Sequence, residues 1–331
     1  MTRPSPFRSR LGPTLARYVA VKRALGRRGD GIEHILRYLD RFLVSRHAED
    51  VTREIFAAWA DSMTHLSGTT RRGRLRAVYY FCLFRQRDDP GVFVPDPTQF
   101  PAAAPRPWPH TFSEADIVRL LAAADILPAH NASPLHREVA RIAVVILYTT
   151  GLRRGELVRL TLRDYDAVAR VLHVRETKFY KSRLVPLSID AAGELDRFLL
   201  ARQARGAPSR DDAPLLAHCH GTTFGGYTGT ACGRLLHKVI RAAGLRTVQG
   251  RVPRVHDFRF TFAVHALWRW YRCGTDVQSR LAALATYMGH ASVLSTQYYL
   301  TFFSATVDAA SERFHAQCAS WLSELRDGGG Q

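Results

Sequence analysis

The sequence predicts two domains, an all-α helical bundle followed by a mainly α, mixed α+β domain with a small β-hairpin sheet. Three observations predict this. The chain has 331 residues, too many for one ordinary core and suited to two of roughly 150 each. Apolar residues recur at helical spacing up to about residue 90, and beyond a proline-dense break further helical stripes enclose one pair of β-branched segments.

In order, residues 1–13 read as a tail and 14–90 as the first domain. Its first helix, around Leu15 to Leu25, has a weak stripe. Ile32, Ile35, Leu36, Leu39 and Leu43 mark the second; Ile55, Phe56, Trp59 and Met63 mark the third, after the cap Thr52; Leu75, Val78, Tyr79, Cys82 and Leu83 mark the fourth. Between the last two lies SGTTRRGRLR, where Arg71, Arg72, Arg74 and Arg76 stand at a helix start that suits either holding phosphate or a solvated basic face. A proline-dense linker follows over 91–110, since proline cannot continue a helix.

The second domain, 111–325, opens with Ser113 as cap and Asp116 as its capping partner. A helix from about Pro134 to Tyr148 carries the apolar run Ile142 to Leu147 and stops at Gly151; a second runs from Arg154 to about Leu160. Val171 to Glu176 and Arg183 to Leu187 form a hairpin. Helices are expected near 190–204, 228–243, 257–272, 276–288, 295–302 and 305–324, before a flexible tail over 326–331.

The chain carries 47 Lys plus Arg against 29 Asp plus Glu, a net charge of +18, which points to a polyanionic partner, nucleic acid first, over a cationic surface with no specific partner. Hydrophobic residues make up 46% and charged residues 23%, the balance of a soluble globular protein. The longest fully apolar run is far short of the roughly 20 residues that span a bilayer, and the Arg-dotted start has no signal-like apolar region. The expectation is a cytoplasmic, nucleoid-associated protein. Cysteines 82, 219, 232, 273 and 318 form no CxxC pair, and His218-Cys219-His220 lacks a second ligand pair, so neither a disulfide framework nor a metal site is expected. Only four cations are lysine: Lys22, Lys178, Lys181 and Lys238. An ammonium can give up a proton at working pH and a guanidinium cannot, which singles these out.

Four separated stretches carry chemistry together. TTGLRRGELVRL offers Arg153, RETKFYKSRLVPL offers Lys178 in a hairpin turn, VHDFRFTFA offers His256 and Arg259, and MGHASVLSTQYYL offers His290 and a tyrosine. Any one is commonplace; an Arg-Arg-x-Glu is usually a helical ion pair. Jointly they suit phosphoryl transfer. Two arginine forks bind phosphate oxygens and stabilise the extra charge of a pentacoordinate phosphorus. A tyrosine can attack phosphorus in line, histidine can take up the phenolic proton, and lysine can supply one to the departing sugar oxygen.

The order GLRxxEL, hairpin Lys, HxxR, then GH with Tyr nine residues later resembles the tyrosine recombinase, or phage integrase, family, over nearly the whole chain. The resemblance implies a core-binding helical DNA-binding domain joined to the tyrosine recombinase catalytic fold. By position it makes Arg153 and Arg259 the phosphate clamp, Lys178 the general acid, His256 and His290 acid–base and orienting groups, and Tyr299 the nucleophile, with Glu156 a structural acid. The sequence departs from the pattern at Phe260, where the family commonly has histidine, and at TKFYK, where it has a glycine-rich turn, so Lys181 competes with Lys178. Tyr298 competes with Tyr299, which the nine-residue step favours. Further DNA contacts are expected from Arg71, Arg72, Arg74, Arg76, Lys181 and Arg183.

The activity so implied is site-specific recombination or integration of DNA through a 3′-phosphotyrosine, without cofactor or metal, and the segment around GH resembles transposon-associated members. The same resemblance implies four protomers on two DNA sites, alone or with related recombinases. It also makes the helix around Val307 to Leu322 the element passed to a neighbour, unless it packs on its own chain. The competing readings are a type IB topoisomerase and a DNA-binding protein without catalysis.

Overall fold

The computed structural model describes residues 6–26, 30–105, 108–128, 133–175, 182–220, 223–289 and 299–300. These fall into two compact units that divide after residue 107. No described helix is long and apolar enough to cross a membrane.

The first unit contains α1 (Gly12–Ala24), α2 (Asp30–Ser45), α3 (Arg53–Asp61) and α4 (Gly68–Arg85). Pro13 starts α1, and hydroxyls start the later two helices: Thr52 accepts from the Ile55 N–H at 3.3 Å and Ser67 from the Thr70 N–H at 3.4 Å. The stripes meet in one core of Leu15, Tyr18, Leu36, Leu39, Leu43, Trp59, Val78 and Phe81. Each such side chain contributes about 1.5–3 kcal/mol by leaving water.

Two stretches are more ordered than expected. Within the expected tail, Phe7 and Leu11 enter this core, and buried Asp40 on α2 accepts from the Arg8 N–H at 2.8 Å, the Ser9 N–H at 2.9 Å and the Ser9 hydroxyl at 2.6 Å. Within the expected linker, Val92 and Phe100 are buried in the same core, and a short 3-10 turn, Pro97–Gln99, is capped by Asp96. Proline breaks the helix there without preventing its apolar neighbours from packing.

The second unit is built around α6 (His136–Thr150), which is buried over most of Val139–Leu147 and packs against α5 (Glu114–Asp125), α8 (Ile189–Ala204), α9 (Gly229–Ala242) and α10 (Asp257–Arg272). The capping box of Ser113 and Asp116 opens α5 as expected. A three-stranded antiparallel sheet comprises β1 (Tyr165–Asp166), β2 (Val171–Val174) and β3 (Arg183–Pro186), with Leu172 opposite Val185, both fully buried. A second hairpin, β4 (Ala217–His220) and β5 (Thr223–Gly226), was not expected, because AHCH and TFGG lack the alternating β-branched pattern of a strand. The short α7 (Arg154–Leu157) is one turn long, and the chain then passes into a 3-10 turn, Leu162–Asp164.

Helix α11 (Val277–Met288) packs on α10 in a smaller cluster of Phe260, Ala263, Leu267, Leu281, Leu284, Met288 and Tyr299. Thr261 ties α10 to the start of the unit, accepting from the Phe112 N–H at 3.0 Å and donating to the Asp257 carbonyl at 2.9 Å. The second unit is mainly helical with a small antiparallel sheet, as the sequence predicts, and the β4–β5 hairpin is added to it. The helices expected over 305–324 and most of 295–302, and the tail over 326–331, lie outside the described residues.

Candidate active site

The site is assembled where three chain turns meet. The first is the end of α6, where Gly151 adopts φ +61°; a Cβ there would come within 2.5 Å of a ring carbon of Phe262, so only glycine fits. The chain leaves that turn with Leu152 buried and Arg153 extended, immediately before α7. Glu156, one turn on, reaches back to accept from the Arg153 backbone N–H at 3.0 Å and from its Nη1 at 2.8 Å.

The second turn is the first turn of α10. Arg259 is 2% exposed and donates from Nη1 to the Gly151 carbonyl at 2.8 Å and from Nη2 to the Met288 carbonyl at 2.6 Å. Burial, then repulsion from Arg153, lowers its pKa to about 10, which leaves it charged at neutral pH. A guanidinium stripped of water in this way is a strong attractor for an anion. His256, just before α10, keeps an exposed face. The protein around its ring and then the charge of Arg259 hold its pKa below the usual histidine value, with a smaller push from Arg153. The imidazole is therefore neutral and able to accept a proton at pH 7.

The third turn is the end of α11, closed by Gly289 at φ +66°. The last carbonyls of a helix lack helical partners and carry its negative dipole end. Here three consecutive ones each accept from a different arginine: Tyr287 from Arg183 Nε at 2.7 Å, Met288 from Arg259 Nη2, and Gly289 from Arg153 Nη2 at 3.1 Å. Arg183 also donates to both oxygens of Glu156, at 3.3 and 2.8 Å. Burial alone would raise the Glu156 pKa, but the hydrogen bond and charge of Arg183, and then the backbone N–H and charge of Arg153, outweigh it and bring it to about 2.

Tyr299 is 6% exposed, its ring 5.5 Å from that of Phe260 on α10, and it lies close enough to Arg259 for their charges to interact. The structure thus brings Arg153, His256, Arg259 and Tyr299 into one region. Lys178, Lys181, His290 and Tyr298 lie outside the described residues. Phe260, standing where the family commonly has histidine, supplies the surface against which Tyr299 packs. Among the described residues no group of three or more His, Cys, Asp or Glu side chains is placed to hold a metal ion.

The four α4 arginines are engaged within the first unit. Arg71 pairs with Asp61 at 3.4 Å and Arg72 donates to the Phe100 and Pro101 carbonyls. Arg74 lies 4.5 Å from the Tyr38 ring centre, and Arg76 donates to the Tyr80 hydroxyl at 3.1 Å. Sequence reasoning grouped Arg183 with DNA contacts and missed its place in the site. The signal was present: side chains alternate along a strand, so Arg183 shares a face with buried Val185 while Leu184 points out.

A fold of this kind, with two guanidiniums, a neutral histidine and a tyrosine converging, defines the tyrosine recombinase catalytic class. The phage integrase family model matches residues 110–304. The chain is 32% identical to the putative integrase/recombinase y4rB of Sinorhizobium fredii, over 86% of this chain and 90% of that one. It is 30% identical to the tyrosine recombinase XerD of Pseudomonas aeruginosa, over 86% and 98%. Among solved structures, the XerH site-specific recombinase in a post-cleavage complex with a palindromic difH substrate aligns with a TM-score of 0.61 at 16% identity, over 87% and 80%. The Tn1549 transposon integrase in complex with a circular intermediate DNA aligns at 0.59 and 19%, over 86% and 94%. The chain belongs to the phage integrase family and is a tyrosine-type recombinase, an enzyme of DNA strand breakage and rejoining.

Proposed function

We propose that the protein recombines specific DNA sites through a 3′-phosphotyrosine, with Tyr299 as nucleophile. The observation that carries this reading is the convergence of Arg153 and Arg259 beside Tyr299, each guanidinium aligned by main-chain carbonyls. Among the described residues each guanidinium donates two hydrogen bonds to the protein out of five donors, which is compatible with further N–H groups facing a phosphate. The Tyr299 oxygen attacks phosphorus and loses its proton, which neutral His256 can take up. The bond from phosphorus to the 5′ oxygen breaks, and that oxygen receives a proton from Lys178 or Lys181. The hydroxyl of a partner strand then reverses the steps. The two guanidiniums offset the negative charge that builds on the phosphate oxygens in the transition state, the role a metal ion would otherwise fill. The reading includes a role in a mobile element, with four protomers on two DNA sites and the segment around Val307 to Leu322 as the shared element.

A nicked suicide duplex made from the DNA flanking this chain's own coding sequence tests it. The wild-type protein should give a covalent adduct that survives detergent and disappears on protease treatment, and Tyr299→Phe should bind the duplex equally and give none. An adduct undiminished in Tyr299→Phe would contradict the reading.

A further inference from the structure

Arg183 is expected from sequence to contact DNA, yet its side chain is 9% exposed, against 38% for Arg153. Each of its three nitrogens donates to protein: Nε to the Tyr287 carbonyl, Nη1 and Nη2 to the Glu156 carboxylate. The space it occupies is reserved by a glycine, since a Cβ on Gly289 would come within 2.7 Å of Arg183 Nη1 and 3.0 Å of Cζ. Arg183 therefore joins three pieces distant in sequence: strand β3, the α7 turn that bears Arg153, and the end of α11 that orients Arg153 and Arg259. Glu156 is the shared node, accepting from Arg183 on one side and Arg153 on the other.

We propose that Arg183 is a positioning residue, which locks the β2–β3 hairpin, Glu156 and the Tyr287–Gly289 turn together so that Arg153 and Arg259 stay in register for one phosphate. This rests on the recombinase reading above. Without Arg183, Glu156 has one cationic partner instead of two and draws Arg153 inward, while the Tyr287 carbonyl loses its donor. The hairpin that leads to Lys178 and Lys181 is released from the clamp in the same event. A lysine at 183 can face Glu156 but cannot also fork across to Tyr287, so it restores only part of the lock.

The full chain and its Arg183→Met and Arg183→Lys variants are compared on the nicked duplex from the flanking DNA, measuring single-turnover adduct rate, duplex Kd and the salt dependence of Kd. Hydrogen exchange of the DNA-free proteins is followed over residues 150–157 and 283–289. Arg183→Met should lower the adduct rate about tenfold or more, leave Kd within about twofold and the salt slope unchanged, and speed exchange in those two segments but not in the first unit. Arg183→Lys should fall between. A salt slope reduced by about 0.9, with the rate falling only as Kd weakens, marks a direct phosphate contact and overturns the proposal. Unchanged exchange in both segments overturns it too. Should the wild type form no adduct, the recombinase reading fails while exchange still decides for or against the lock. Should Arg183→Met not fold, Arg183→Lys carries the same measurements.

Discussion

Arginine does different work in the two units. In the first, Arg72 is held by two carbonyls, but several other guanidiniums lie on aromatic faces: Arg41 and Arg74 each sit 4.5 Å from the centre of the Tyr38 ring, Arg17 is 5.1 Å from that of Phe84, and Arg76 is 5.8 Å from that of Tyr80. Such stacking holds a guanidinium by its face, and its N–H groups go to side chains at the surface, as Arg76 to the Tyr80 hydroxyl and Arg17 to Asp88. In the second, Arg153, Arg183 and Arg259 are fixed by carbonyls and by one buried carboxylate. Under the function proposed above, the difference separates charges that would serve affinity, which can stay adjustable, from charges for a transition state, which must be set before the substrate arrives.

The largest expected effect separates the two kinds. Arg259→Lys removes a fork that spans the Gly151 and Met288 carbonyls, and a lysine cannot replace it. Single-turnover adduct formation should slow by about a hundredfold or more while duplex Kd changes by less than about threefold. An equal loss in both would erase the distinction between the units.

Next comes the node. The carboxyl of Glu156 is held at about 2 in the folded protein against an ordinary value of 4.5. The charged form is favoured by folding, so its contribution is present above pH 4.5 and is lost as pH falls toward 2; at pH 7 the shift corresponds to about 3 kcal/mol. Urea unfolding of Glu156→Gln should show a loss of that order at pH 7, shrinking steadily below pH 4.5. A pH-independent difference would mean that packing, not charge, sets the cost.

The smallest effect belongs to the first unit. Arg74→Ala should change stability by about 1 kcal/mol or less and weaken duplex binding a few-fold. If Arg74 meets a phosphate, the salt slope of Kd falls by about 0.9. A hundredfold loss of adduct rate at unchanged Kd would place Arg74 with the rigid set instead.

Much of this was legible in the sequence because it rests on local rules. Apolar stripes located α2, α3, α4 and α6, hydroxyl caps located Thr52 and Ser113, and Gly151 marked the α6 end that directs Arg153 into the site. What escaped depends on partners without a sequence signature. Strand alternation puts Arg183 on the buried face with Val185 but does not name its partners, the carbonyl of Tyr287 and the carboxylate of Glu156, because a carbonyl looks the same at every position. The ordering of Phe7, Val92 and Phe100 escaped because proline and charge nearby signalled a break while the apolar side chains found a core. The β4–β5 hairpin escaped because its strands are written in histidine, cysteine and glycine.

The most direct measurement is the identity of the residue that carries DNA. Protease digestion of the covalent complex, followed by mass sequencing of the nucleotide-bearing peptide, should place the phosphodiester on Tyr299, the residue packed against Phe260 beside Arg259. Attachment at Tyr298 or at any other side chain would contradict the account.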